Sequence, residues 1–272
     1  DILVSDAARD DFLGLFEGTG VDIAGLNCNG NPLHPNAVIG DKHADDVRRS
    51  IRLANRLGQK RVVTMSGLPG GEPGATRVNW VVNAWNSAAL EVLDYQWRIA
   101  ADFWRETDRL AADLDVKVAL ELHPQNIVFN SRDIRKLVDL TGATNVGVEL
   151  DASHLFWQQM DPLAVVRALG PAVHHVHLKD AALVADQVAL AGVLDQRPFG
   201  NPMQRAWAFR TIGRSHGPEF WKPFVQTLAD SGYDDVLSIE NEDLAQPAIE
   251  GVREAAVFIE PFLAPFRPSP AG

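Results

Sequence analysis

The stretch KVALELHP, residues 117–124, changes character partway along a run that otherwise has the pattern of a buried strand. Strand side chains alternate between two faces. Val118, Leu120 and Leu122 therefore share one face, while Glu121 and His123 share the other, just before Pro124 stops the strand. Three later runs repeat the arrangement. In residues 146–151, Val146, Val148 and Leu150 oppose Gly147, Glu149 and Asp151; in 173–180, Val176 and Leu178 oppose His175, His177 and Lys179; in 236–242, Leu237 and Ile239 oppose Ser238, Glu240 and Glu242. An apolar face suits packing on helices, and a polar face at the strand's end suits an enclosed site.

Working outward, strand-like segments are expected at Val21 to Cys28, Arg61 to Ser66, Val116 to His123, Val146 to Asp151, Val173 to Lys179 and Val236 to Glu242. Helical periodicity separates them: Asp6 to Glu17, Asp41 to Leu57, Asn86 to Leu114, Ser131 to Leu140, Pro162 to Leu169, Pro218 to Ser231 and Pro247 to Leu263. Alternation of this kind marks βα units around a parallel sheet. The expected fold is an α/β (β/α)8 TIM barrel forming a single domain over residues 1–272, since no Pro-, Gly- and Ser-rich linker divides the chain. Such a barrel has eight strands and only six are visible, so the first two strands are expected ahead of Asp1, on the order of 50 residues with their helix. An open doubly wound sheet is the alternative.

Composition narrows the function. The 272 residues carry 25 Lys plus Arg against 36 Asp plus Glu, a net charge of −11, which disfavours nucleic-acid and anionic-membrane partners. One cysteine, Cys28, leaves no disulfide framework and no Cys-rich zinc site, and fits a reducing compartment. No apolar run has the length of a membrane span and the N-terminus has no signal pattern, so a cytoplasmic location is expected.

Glu121, Asp151, His177 and Glu240 stand at the C-terminal ends of four strands, where barrel enzymes place their sites. Three carboxylates and an imidazole in a confined space need a counter-charge, which a divalent cation supplies. Oxygen-rich coordination with one nitrogen suits Mn²⁺ first, with Mg²⁺, Co²⁺ and Zn²⁺ as alternatives. The gap from His177 to Glu240 is 63 residues, against 30 and 26 for the two gaps before it. Its extra loop carries Arg197, Arg205, Arg210, Arg214 and His216 with Phe199, Trp207 and Phe209, a composition suited to a substrate-facing lid. Lys179 is a candidate to hold a substrate oxygen, with ion pairing to Asp180 or Glu242 as the plainer role. His34, in the segment 27–34, is a candidate sugar contact.

The strings ELHP at 121–124, DASHLFW at 151–157, HVHLKD at 175–180 and SIENED at 238–243 resemble the sugar isomerase/epimerase superfamily with a xylose-isomerase-like barrel. That resemblance implies one divalent ion bound by Glu121, Asp151, His177 and Glu240, with His154 contacting substrate. The strings GNPLHP at 30–35, GVLDQRPFG at 192–200, FRTIGRSHG at 209–217 and GYDDVLSIENED at 232–243 are similar to a branch that includes the catalytic subunits of C-glycoside deglycosidases. In that branch the histidine two after the first metal Glu is the base, which implies His123. Two departures are Asn241, where relatives often have His, and the extra acidic Glu149. The expected activity is metal-dependent sugar isomerisation or epimerisation by proton removal beside a carbonyl, with Glu121 and Glu240 as acid and base. The alternative is β-elimination from a 3-keto-glycoside with His123 as the base. Expected partners are a sugar or keto-glycoside substrate and either a second copy of the chain or a small partner subunit.

Overall fold

A computed structural model describes residues 1–198, 200–201 and 204–266; Phe199 lies outside them. The parallel strands are β1 (Leu26–Cys28), β2 (Arg61–Met65), β3 (Lys117–Glu121), β4 (Val146–Asp151), β5 (Val173–Leu178) and β8 (Leu237–Ile239), in the sheet order β1-β2-β3-β4-β5-β8. Among the described residues this gives six parallel strands of the (β/α)8 barrel fold. A separate antiparallel hairpin is formed by β6 (Asp180–Leu183) and β7 (Trp207–Arg210). The helices are α1 (Asp6–Gly14), α2 (Ala37–Arg56), α3 (Ser87–Asp113), α4 (Ser131–Thr141), α5 (Ala152–Trp157), α6 (Pro162–Leu169), α7 (Ala185–Ala191), α8 (Pro218–Asp230) and α9 (Ala248–Leu263).

Two compact units share the chain. The first comprises Asp1–Glu149 with Ala172–His175, and the second Leu150–Pro171 with Val176 onward, so the division passes through β4 and β5 themselves. In the first unit β1 to β4 pair in chain order. Ile51, Val62, Trp104, Val118, Leu120 and Leu137 fill its core, and the Trp104 indole donates to the Ser66 carbonyl at 3.0 Å. The buried Asp108 of α3 accepts from the amides of Asn145 at 2.7 Å and Val146 at 2.8 Å, which fixes where β4 starts. In the second unit β5 pairs with β8 in the register Val176↔Leu237, His177↔Ser238 and Leu178↔Ile239. Trp221, Phe224, Leu155 and Ile212 are its largest fully buried apolar side chains apart from those of the strands.

Side-chain caps set the helix starts. Asn36, Asn86, Asn130, Asp151 and Asp161 each accept an amide from the first turn of α2, α3, α4, α5 and α6, and Pro162 takes the first position of α6. Helix α1 ends at Gly14 and not Glu17, α2 starts at Ala37 and not Asp41, and three strand ends also depart from the expected bounds. β1 is three residues long instead of eight because, among the described residues, it pairs on one side only and Val21 and Asp22 are exposed. Strand pairing ends at Glu121, so His123 belongs to the turn after β3, where Gln125 adopts a positive φ of 66°. β8 ends at Ile239, although the Glu240 amide still bonds the Leu178 carbonyl at 3.2 Å. The stretch between His177 and Glu240 holds β6, α7 and β7 where a loop and one helix were expected. No helix among the described residues is long and apolar enough to cross a membrane.

Candidate functional site

In the second unit the ends of β4, β5 and β8 present Asp151, His177 and Glu240. Asp151 is 1% exposed and divides its two oxygens between two tasks. Oδ1 caps α5 by accepting from the Ser153 amide at 2.8 Å. Oδ2 is buried, makes no hydrogen bond, and lies 3.4 Å from both His154 Nε2 and Lys179 Nζ. Both groups stand close to that oxygen, yet neither aligns a donor on it. His177 Nδ1 lies 3.3 Å from Glu240 Oε2.

Lys179, 2% exposed, joins these groups. Its ammonium reaches Asp151 at 3.4 Å, Glu240 at 3.0 Å and Glu242 at 2.6 Å, and stands 4.3 Å from the centre of the Phe209 ring. Burial alone would lower the lysine's pKa, but the carboxylates of Asp151, Glu240 and Glu242 raise it above its ordinary value. Burial would likewise raise the pKa of Glu240; the His177 ring 3.3 Å away and the ammonium of Lys179 outweigh it and bring it down to about 2. The plainer role expected for Lys179 is present, since it pairs with Glu242, whereas Asp180 turns to other partners. His154 lies edge-on to Phe209 with centroids 5.5 Å apart.

In the first unit Glu121 closes β3 and is 4% exposed, and Glu149, its register partner on β4, is fully buried. His123 Nδ1 donates to the Pro124 carbonyl at 2.5 Å. A carbonyl only accepts, so Nδ1 carries a proton and, in the neutral ring, the lone pair is on Nε2. His34 is occupied locally: its Nδ1 accepts the Asn36 amide at 3.0 Å, and it borders a cavity of about 480 Å³ with Arg48, Tyr95 and Phe103.

Three guanidinium groups of the long insertion are ion-paired within it or beside it. Arg210 lies 3.2 Å from Asp243, Arg197 reaches Asp195 at 2.7 Å, and Arg214 reaches Glu254 at 2.7 Å. Arg205 is buried over the Trp207 ring, which in turn stacks on Trp157 with centroids 4.6 Å apart. Asp243 was not singled out in the sequence. It is buried and accepts the Thr211 amide at 3.0 Å, anchoring the end of β7; its place three residues after Glu240 is the only sequence cue.

A family model described as a xylose isomerase-like TIM barrel matches residues 2–262. The chain belongs to the xylose isomerase-like TIM barrel family. Within it, the chain is 34% identical over 257 residues to the uncharacterized protein YfiH of Bacillus subtilis, covering 93% of this chain and 82% of that protein. It is 28% identical over 162 residues to an inosose dehydratase of Clostridium perfringens, covering 60% of this chain and 52% of that enzyme. The barrel also superimposes on the crystal structure of the 3-keto-D-glucoside 4-epimerase YcjR from E. coli with a TM-score of 0.67, at 12% identity, over 96% of this chain and 86% of that one.

The donor set suits a divalent ion on chemical grounds. Within the second unit, the carboxylates of Asp151 and Glu240 and the imidazole of His177 are of metal-ligand type, and Asp151 Oδ2 is a buried acceptor with no hydrogen bond of its own.

Proposed function

We propose that this protein is a divalent-metal-dependent sugar isomerase or epimerase that removes a proton from the carbon beside a substrate carbonyl. The observation that carries the reading is the Asp151 carboxylate. One oxygen is committed to the fold and the other, buried and without a hydrogen bond, lies beside His154 and Lys179. Asp151, His177 and Glu240 of the second unit, with Glu121 of the first, would hold the ion, Mn²⁺ before Mg²⁺, Co²⁺ or Zn²⁺. Bound there, it would supply positive charge to the substrate oxygen beside the carbon that loses its proton.

The chain's own groups would do the rest. His123, with Nδ1–H held on the Pro124 carbonyl, offers Nε2 to accept a proton; Glu121 and Glu240 are the alternative acid and base. Lys179 and His154 would hold substrate oxygens next to the carboxylates, and Arg210 and His34 are the outer candidates for sugar contact. A cytoplasmic enzyme working alone, as a homo-oligomer or with a small partner subunit fits the same reading.

β-Elimination from a 3-keto-glycoside is the second reading, favoured by the same His123 tautomer and by the likeness to a dehydratase. Both reactions begin with the same proton removal and differ in what leaves. Incubating metal-loaded protein with ketoses and 3-keto-glycosides in heavy water distinguishes them: a new sugar isomer supports the first, released aglycone the second. Metal binding without deuterium entering any of the sugars would end both, and an ion found away from Glu121, Asp151, His177 and Glu240 would end the site assignment.

A further inference from the structure

Asp180 follows Lys179 directly but serves a different set of partners. Its carboxylate is fully buried and receives four N–H groups. Oδ1 accepts from the Ala181 amide at 2.8 Å and from His216 Nδ1 at 2.6 Å; Oδ2 accepts from the amides of Ser215 at 3.1 Å and His216 at 3.0 Å. With both oxygens engaged as acceptors, the proton of the shortest contact belongs to Nδ1, so in the neutral imidazole Nε2 carries the lone pair. The Phe156 ring lies flat on that imidazole, centroids 3.7 Å apart and planes 8° apart, and Phe220 flanks it at 5.6 Å.

The ring is thus fixed in tautomer and direction, yet its side chain is 34% exposed. Among the described residues nothing hydrogen-bonds Nε2; the ring's polar contact is the one through Nδ1. His216 borders a cavity of about 540 Å³ together with Phe156, Met160, Ala181 and Leu183, a volume within the ordinary range of small-molecule sites. The lining contains no Lys or Arg, and its polar members besides His216 are Gln159, Ser215 and the acidic Asp161, so an anion would be repelled. A fixed acceptor calls for a ligand that donates a hydrogen bond. A flat stack of rings beside aliphatic side chains calls for a flat apolar body.

We infer that this cavity binds a small neutral phenol, whose hydroxyl donates to His216 Nε2 and whose ring packs on the apolar lining. The assignment is separate from the proposed sugar chemistry in that Asp180 and His216 are not among the groups proposed to hold the ion or to move the proton, although His216 lies in the insertion expected to face substrate.

The test is a titration of the ¹⁵N-labelled chain with phenol, anisole and benzoate, read at the imidazole nitrogens. The expected result is saturable binding of phenol with a shift at His216 Nε2, anisole weaker by about tenfold for want of the hydroxyl donor, and benzoate without effect. His216→Phe keeps a ring over Phe156 and should weaken phenol by a similar factor. Equal binding of anisole and phenol, binding of benzoate, or a silent His216 at saturation would overturn the proposal. These readouts on the unaltered chain hold even if the variant fails to fold, and they leave the proposed sugar activity untouched.

Discussion

The Lys179 ammonium and the Glu240 carboxylate meet at 3.0 Å, and the same ammonium stands 3.4 Å from Asp151. A resident cation therefore already neutralises two of the carboxylates assigned to the ion. Lys179→Met should lower the stability of the metal-free protein by about 3–5 kcal/mol, the usual cost of leaving a buried charge unpaired. It should also tighten Mn²⁺ binding, because a competing positive charge is gone. Urea unfolding without metal and calorimetric titration with Mn²⁺ check the two halves; weaker ion binding in the variant would contradict the assignment.

The Glu240 carboxylate contributes in the opposite sense. Glu240→Gln removes a ligand and a negative charge together, so Mn²⁺ affinity and turnover should both fall while the metal-free fold persists. Circular dichroism of the metal-free variant and a metal titration separate those outcomes from simple unfolding.

His123 decides between proton-transfer schemes. If Nε2 is the base, His123→Asn should retain metal and substrate binding and lose about two to four powers of ten in kcat. If Glu121 and Glu240 transfer the protons, the same change should mainly raise KM. Unchanged kcat at saturating substrate would remove His123 from the catalytic groups.

Gly147 of β4 faces the Ala172 carbonyl oxygen and the His174 ring so closely that a Cβ would collide with both. The ring can turn aside but the carbonyl is main chain. Gly147→Ala should cost about 1–3 kcal/mol, in the range of overpacked cores, measured by urea unfolding at neutral pH.

Two buried groups of the first unit give opposing pH dependences. Burial lowers the pKa of His174 to about 4 and raises that of Asp133 to about 6. For His174, the unfolded chain takes up a proton first as pH falls from about 6.5, so its contribution to stability is complete above that pH and is lost towards pH 4. For Asp133 the folded chain holds the proton longer, so stability declines as pH rises from about 3.8 to 6. Between pH 6.5 and 5 the two nearly cancel. Asp133→Asn should expose the histidine alone and lose about 2 kcal/mol over that interval; a flat profile in the variant would refute the His174 assignment.

The strand ends were legible because the alternation of Val118, Leu120 and Leu122 against Glu121, and of Val176 and Leu178 against His177, is a local property of the chain. The order and direction of the six parallel strands follow from the helical stretches between them. The β6–β7 hairpin was not legible, since Asp180–Leu183 and Trp207–Arg210 are four residues each and pair across a long separation. The short helix α5 escaped for a different reason: Asp151 has the residue type of a helix cap and of a metal ligand, and the second use concealed the first. The long insertion's arginines illustrate a third limit. Their positive charge is visible in composition, but their pairing with Asp195, Asp243 and Glu254 depends on the fold.

The hairpin that separates His177 from Glu240 in the chain leaves the β5–β8 pairing unbroken. The β6–β7 pair forms a sheet of its own, so changes at exposed positions between Leu183 and Trp207 should leave the register of His177 against Ser238 in place, provided the buried Arg205 and Ala206 are kept. For a protein engineer this is a graft point: new loops could be installed there to change which molecules are admitted, while the chemistry-bearing strand ends keep their inherited spacing.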